Sequence, residues 1–97
     1  MTETRDIRLK RLKFRAWHRG FVEADLILGS FVDRHAAGFS DQQLDSLEAL
    51  LEQADQDLYA WILDRAPTPS EFDGEMMRMI KTFKDDTYKS VGPSHGG

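Results

Sequence analysis

Cysteine is absent from this 97-residue chain. That excludes a disulfide framework, a thiolate metal site and cysteine catalysis, and it fits a reducing compartment. Long apolar runs are absent too. No stretch approaches the ~20 residues of a membrane span, so an integral membrane protein is not expected. The start, Met1 to Asp6, lacks the apolar core of a secretory signal. Its arginine-rich continuation has a slight look of a mitochondrial transit peptide, but Glu3 and Asp6 count against that. The start is read as mature protein, with a bacterial cytoplasm as the expected home. Strand-like alternation, hairpin signals and internal repeats are also missing. With no strand there is no place for a phosphate loop that follows one.

Histidine is sparse: His18, His35 and His95. None has the spacing of a metal-binding helix motif, and the Glu-x-x-His pattern of a di-iron bundle is missing. Asp33 and His35 are two apart, so on a helix they point in different directions. Asp55 and Asp57 resemble paired acids, but capping of a helix start explains them more simply. An enzyme in its own right is therefore not expected, nor is a bound metal.

What is present describes one small soluble domain. Apolar residues make up 40% and charged residues 31% of the chain, and the length suits a single core. The net charge of −4 hides an asymmetry: residues 1–19 sum to +5 and residues 20–97 to −9. A basic first helix on an acidic body can steer a partner. Equally, it can be a solvated face satisfied by that body.

The periodicity predicts an all-α, five-helix bundle. Helix one spans about Arg5 to Trp17, with Leu9, Leu12 and Ala16 on one stripe and Phe14 and Trp17 elsewhere. Helix two follows Gly20, turns Ala24, Ile27, Leu28 and Phe31 inward, and ends near Gly38 as a left-handed stop. Ser40 and Gln43 form a capping box for helix three, with Phe39 and Leu44 as a hydrophobic staple. Leu44, Leu47, Leu51 and Ala54 continue its stripe. A short helix four opens at Asp55 or Gln56 and buries Leu58, Trp61 and Ile62. Thr68, Pro69 and Glu71 read as the start of helix five, whose stripe is Phe72, Met76, Met79, Ile80 and Phe83. Gly74 then lies inside that helix, at a cost of about 1 kcal/mol. Residues 1–84 form the domain, and 85–97 are expected to be a disordered tail.

The most informative stretch is Arg19-Gly20-Phe21-Val22-Glu23-Ala24-Asp25. Glycine permits close approach of another backbone or of a partner. Arginine offers a planar fork of donors, and Glu23 and Asp25 favour the start of the second helix. The unit suits a surface contact. It also suits a plain helix break, with Glu23 completing a capping box on Gly20, or an exposed Arg19–Glu23 pair. Leu58-Tyr59-Ala60-Trp61 is core plus a snorkelling tyrosine, or an aromatic anchor at an interface.

The run from Arg11 to Leu26 resembles the succinate dehydrogenase assembly factors, the SdhE or flavinylation-factor family. The hallmark Arg-Gly-x-x-Glu is matched by Arg19, Gly20 and Glu23. A second stretch, Asp55-Gln56-Asp57-Leu58-Tyr59-Ala60-Trp61, resembles the family's Asp-x-Asp-Leu-x-x-Trp segment. His18 replaces a frequent second basic residue, and Phe21 a frequent methionine. The resemblance implies a chaperone-like assembly factor that binds the flavoprotein subunit of succinate dehydrogenase or fumarate reductase. It promotes covalent attachment of FAD to a histidine of that subunit, supplying no nucleophile and holding no cofactor tightly itself. The implied client-binding residues are Arg19, Gly20, Glu23 and Asp25, with Phe21, His18 and Trp61 as further candidates. No nucleic-acid partner is implied. The competing reading of the residues is a small helical nucleic-acid or regulatory module using the basic helix, although a pI near 5.3 argues against it.

Overall fold

A computed structural model describes the backbone of residues 3–96 and the side chains of residues 3–87. The described backbone contains five α-helices and no strand: α1 Arg5–Trp17, α2 Val22–His35, α3 Asp41–Leu51, α4 Asp55–Ile62 and α5 Glu75–Gly96. Short 3₁₀ turns lie at Ala36–Gly38 and Ser70–Phe72. The expected disordered tail, 85–97, falls mostly on residues 88–97, whose side chains are outside the described set.

Side-chain caps set two of the helix starts. Thr4 Oγ1 accepts the Ile7 N–H at 3.2 Å and caps α1. Ser40 and Gln43 form the expected capping box, at 3.1 and 2.9 Å. A cap of this kind contributes about 1 kcal/mol. Phe39 and Leu44, on either side of it, are both buried.

The expected stripes converge on one core. Leu12, Ala16, Leu28, Phe31, Leu44, Leu47, Leu51, Leu58, Ile62 and Ile80 are all buried within it, as are Met76 and Met77. Leu9, Phe72, Met79 and Phe83 were expected on the inner stripes and are only half-buried, and Ala54, expected on that of helix three, is exposed beyond its end. Phe72 stacks on Trp61 with centroids 5.5 Å apart, and Phe83 meets Phe31 edge-on at 5.6 Å. Helices α1 and α2 form the most extensive helix pair. Gly29 makes their close approach possible: a Cβ there would lie 2.2 Å from Cδ2 of Trp17. The indole therefore lies on the α2 backbone, and its N–H donates to Asp33 at 3.1 Å.

Three expectations about breaks are corrected. Gly38 is not left-handed; among the described glycines only Gly20 has a positive φ, +113°. Helix α2 instead tightens into a 3₁₀ turn, and the Phe39 N–H closes it on the Ala36 carbonyl at 3.1 Å. Thr68, Pro69 and Glu71 do not open the last helix. Pro69 precedes the turn Ser70–Phe72 with no side-chain cap. Asp73, at φ −93° and ψ 64°, then leaves helical geometry, and α5 begins at Glu75. Gly74 thus precedes the helix, its carbonyl accepting from Arg78 N–H at 3.1 Å. The penalty for glycine within a helix does not apply.

Candidate functional site

The turn between α1 and α2 is built around Arg19. Its side chain is only 7% exposed. The guanidinium donates to the backbone carbonyls of Leu51 and, at 2.8 Å, of Gln53. The Leu51 carbonyl ends α3, where the helix dipole favours a cation, and that of Gln53 lies two residues beyond. Nε lies 2.9 Å from Asp55 Oδ1, an ion pair without hydrogen-bond alignment. The Arg19 backbone N–H donates to Asp25 Oδ1 at 2.6 Å. A planar fork is needed to reach two carbonyls and a carboxylate together.

Gly20 follows, exposed and at φ +113°. A Cβ there would lie 3.0 Å from Oδ2 of Asp55. Phe21 then sets its ring edge-on to Tyr59, with centroids 4.9 Å apart, and the Arg65 guanidinium lies 5.9 Å from the centre of the Tyr59 ring. The two sequence segments, Arg19 to Asp25 and Asp55 to Trp61, therefore meet in space. Asp55 is where they join.

This geometry changes several expected roles. Phe21 is the N-cap of α2, with no side-chain cap bond, so Glu23 does not complete a capping box on Gly20. Arg19 pairs with Asp55 rather than with Glu23. The Arg19 guanidinium, implied as a client contact, is occupied and buried by its own chain. Asp25 is likewise turned inward, onto the Arg19 N–H, rather than extending an acidic edge. Trp61 belongs to the core and stacks on Phe72, so its reading as an interface anchor gives way to the core reading. Asp55 and Asp57 make no side-chain cap; Ala54 is the N-cap of α4. Asp55 was missed as a site residue. Its place opening a helix suggested a local role, and only its match to the second family segment hinted at more.

Around the locked turn the surface is open. His18 and Glu23 are exposed, and Val22 is 65%, Phe14 63% and Leu26 52% exposed. Phe14 and His18 stack with centroids 4.1 Å apart, and Nδ1 of His18 lies 2.7 Å from the Phe14 carbonyl oxygen. Val22 and Leu26 are four apart on α2 and share a face. The turn thus presents a glycine, a carboxylate and large apolar side chains side by side.

The basic helix is otherwise engaged. Arg5 pairs with Asp41 at 3.1 Å, Arg8 with Asp45 at 2.6 Å and Glu48 at 3.0 Å, and Arg11 with Glu3 and Glu48, each at 2.9 Å. Arg15 reaches Glu52 at 3.6 Å, and Lys13 reaches Asp33 on α2 at 3.4 Å. The hydrogen bond from Arg11, then that from Arg8, hold Glu48 below the ordinary carboxylate range against its desolvation. Arg11 is raised in turn, first by Glu3 and then by Glu48. The arginines of α1 therefore zip it to α3. Of the two readings of the charge asymmetry, the structure supports internal satisfaction. Among the described residues, no cluster of three or more His, Asp or Glu could hold a metal ion. Nor, among the described residues, is any helix long and apolar enough to cross a membrane.

Fold and site together define a small all-α module that carries a locked, glycine-bearing turn. The chain belongs to the Sdh5 family, the flavinators of succinate dehydrogenase, which it matches over residues 10–84. It is similar to the FAD assembly factor SdhE of Acetobacter pasteurianus, 41% identical over 73 residues, covering 75% of this chain and 67% of that protein. It is also similar to the mitochondrial succinate dehydrogenase assembly factor 2-B of Drosophila simulans, 37% identical over 81 residues, covering 81% of this chain and 52% of that protein. The corresponding protein of Dictyostelium discoideum is 36% identical over 72 residues, covering 74% of this chain and 51% of that protein. The chain thus spans about half the length of these mitochondrial relatives.

Proposed function

We propose that this chain is an assembly factor that binds the flavoprotein subunit of succinate dehydrogenase, or of fumarate reductase, and promotes covalent attachment of FAD to it. One observation carries the reading beyond family membership. The Arg-Gly-x-x-Glu segment is held rigid by its own chain, while Gly20, Val22 and Glu23 stay open to a partner. A preformed surface lowers the ordering cost of docking. Gly20 admits close approach of the client, Glu23 offers a charge-assisted contact, and Phe14, Val22 and Leu26 offer apolar area. Phe21 and His18 shape its edges.

In this reading FAD is the client's substrate and the chain holds no cofactor of its own. The client's own groups complete the bond. The factor contributes by holding them in reacting geometry, an effect that can amount to several kcal/mol. Residues 1–84 carry the activity and 85–97 are dispensable, in keeping with the family match ending at residue 84. A bacterial cytoplasm suits this role, as relatives of this family include a bacterial protein.

The test is co-expression with the flavoprotein subunit, followed by in-gel flavin fluorescence after denaturation. Covalent fluorescence should rise with the factor present. Fluorescence equal to the factor-free control overturns the reading.

A further inference from the structure

Asp55 sits apart in sequence from the turn it touches, and it bears on that turn in two ways. One carboxylate oxygen lies 2.9 Å from Nε of the buried Arg19. The other faces Gly20 so closely that a Cβ there would stand 3.0 Å away. The Arg19 guanidinium cannot swing out freely, because its other nitrogens donate to Leu51 and Gln53. The turn is thus gripped between the end of α3 and the start of α4. Its next residue, Phe21, is held on the same side by Tyr59, one helical turn beyond Asp55. The Asp55 side chain is itself 38% exposed, so solvent screens part of the pair's strength. Its effect is therefore expected on the pose of the turn more than on global stability.

We infer that Asp55 is a positioning residue for client docking: it holds the Arg19–Gly20 turn in the pose that presents Gly20 and Glu23. This rests on the proposed client-binding role of the turn. Contacts held by a supporting shell are preorganised, and loosening that shell weakens binding without removing any contacting group.

The experiment titrates Asp55→Asn into the apo flavoprotein subunit of a bacterial succinate dehydrogenase with FAD, reading the rate of covalent flavin formation. It is run at 10 °C, with folding checked by circular dichroism. A loosened pose should raise the half-saturating concentration by about tenfold and leave the rate at saturation unchanged. The Gly20 amide resonance of the free factor should shift or broaden. If Asp55→Asn is not fully folded, Asp55→Ser is read by the same titration, because it too removes the carboxylate from Arg19 and Gly20. Wild-type half-saturation in a folded variant overturns the inference. So does weakened binding with an unmoved Gly20 amide, which would make Asp55 a direct contact. Glu23→Ala separates the two levels. If it weakens binding while Asp55→Asn does not, only the positioning role fails. If Glu23→Ala binds as wild type, the docking role of the turn fails.

Discussion

Among the described residues, two with positive φ end helical segments, and they differ in kind. Gly20 stands at +113° between α1 and α2, and Asp64 at +58° after α4. Asp64 lies in the ordinary left-handed basin, which aspartate tolerates. It completes a Schellman ending, with the Asp64 N–H on the Trp61 carbonyl at 3.2 Å and the Arg65 N–H on Ala60 at 2.8 Å. Its carboxylate is held by Lys81 at 2.7 Å, which lowers its pKa. Gly20 lies outside that basin and has Asp55 where a side chain would begin. One turn uses aspartate for a plain stop. The other favours glycine, because its dihedral strains any side chain and the Asp55 carboxylate must shift to admit a Cβ. The particular dihedral, with a close neighbour beside it, makes a turn intolerant of substitution.

The contrast can be broken first at Arg19. Arg19→Ala strands two carbonyls and an aspartate around an emptied site, and should cost about 3 kcal/mol in urea unfolding. A loss near zero would mean that the turn is not gripped as described. Gly20→Ala should come next, at about 2 kcal/mol from dihedral strain and the displaced carboxylate. Equal stability of the two proteins would remove the distinction between the turns.

Acid should have a smaller effect, acting on the α1–α3 zipper rather than on either turn. Glu48 has a folded pKa below its ordinary value of 4.5. Its contribution is therefore fully present above that value and lost as pH falls through the lower, folded one. The thermal midpoint should hold from neutrality to about pH 5 and decline below about pH 4.5. Glu48→Gln should flatten that decline. An unchanged acid slope would show that the zipper adds nothing. The smallest change should follow Asp64→Gly, which relieves the backbone but loses the Lys81 pair. Its thermal midpoint should move by no more than about two degrees. A large drop would make this turn as demanding as the other.

Some of this was legible in the residues. The capping box of Ser40 and Gln43 spans three positions, and the stripe Leu44, Leu47, Leu51 repeats at helical spacing, so both are local. The motif segment and the Asp55 to Trp61 segment were each visible. Their meeting was not, since Arg19 and Asp55 are separated by α2 and α3. Around the last break, local signals misled. Thr68 and Pro69 look like a helix start, yet the chain makes a 3₁₀ turn there, with Phe72 on Trp61, before α5 begins.

By itself the sequence determined the helical class, the helix order, the core stripes and the family, because periodicity, caps and motif residues act over a few positions. The tertiary structure alone decided that Arg19 is a buried clasp, that Asp25 and Trp61 turn inward, and that Asp55 backs Gly20. It also decided that the basic helix is zipped to α3. Each of these except the inward turn of Asp25 depends on which helix packs beside which. A side chain's partner many residues away is set by packing of the whole bundle, and no local pattern encodes it.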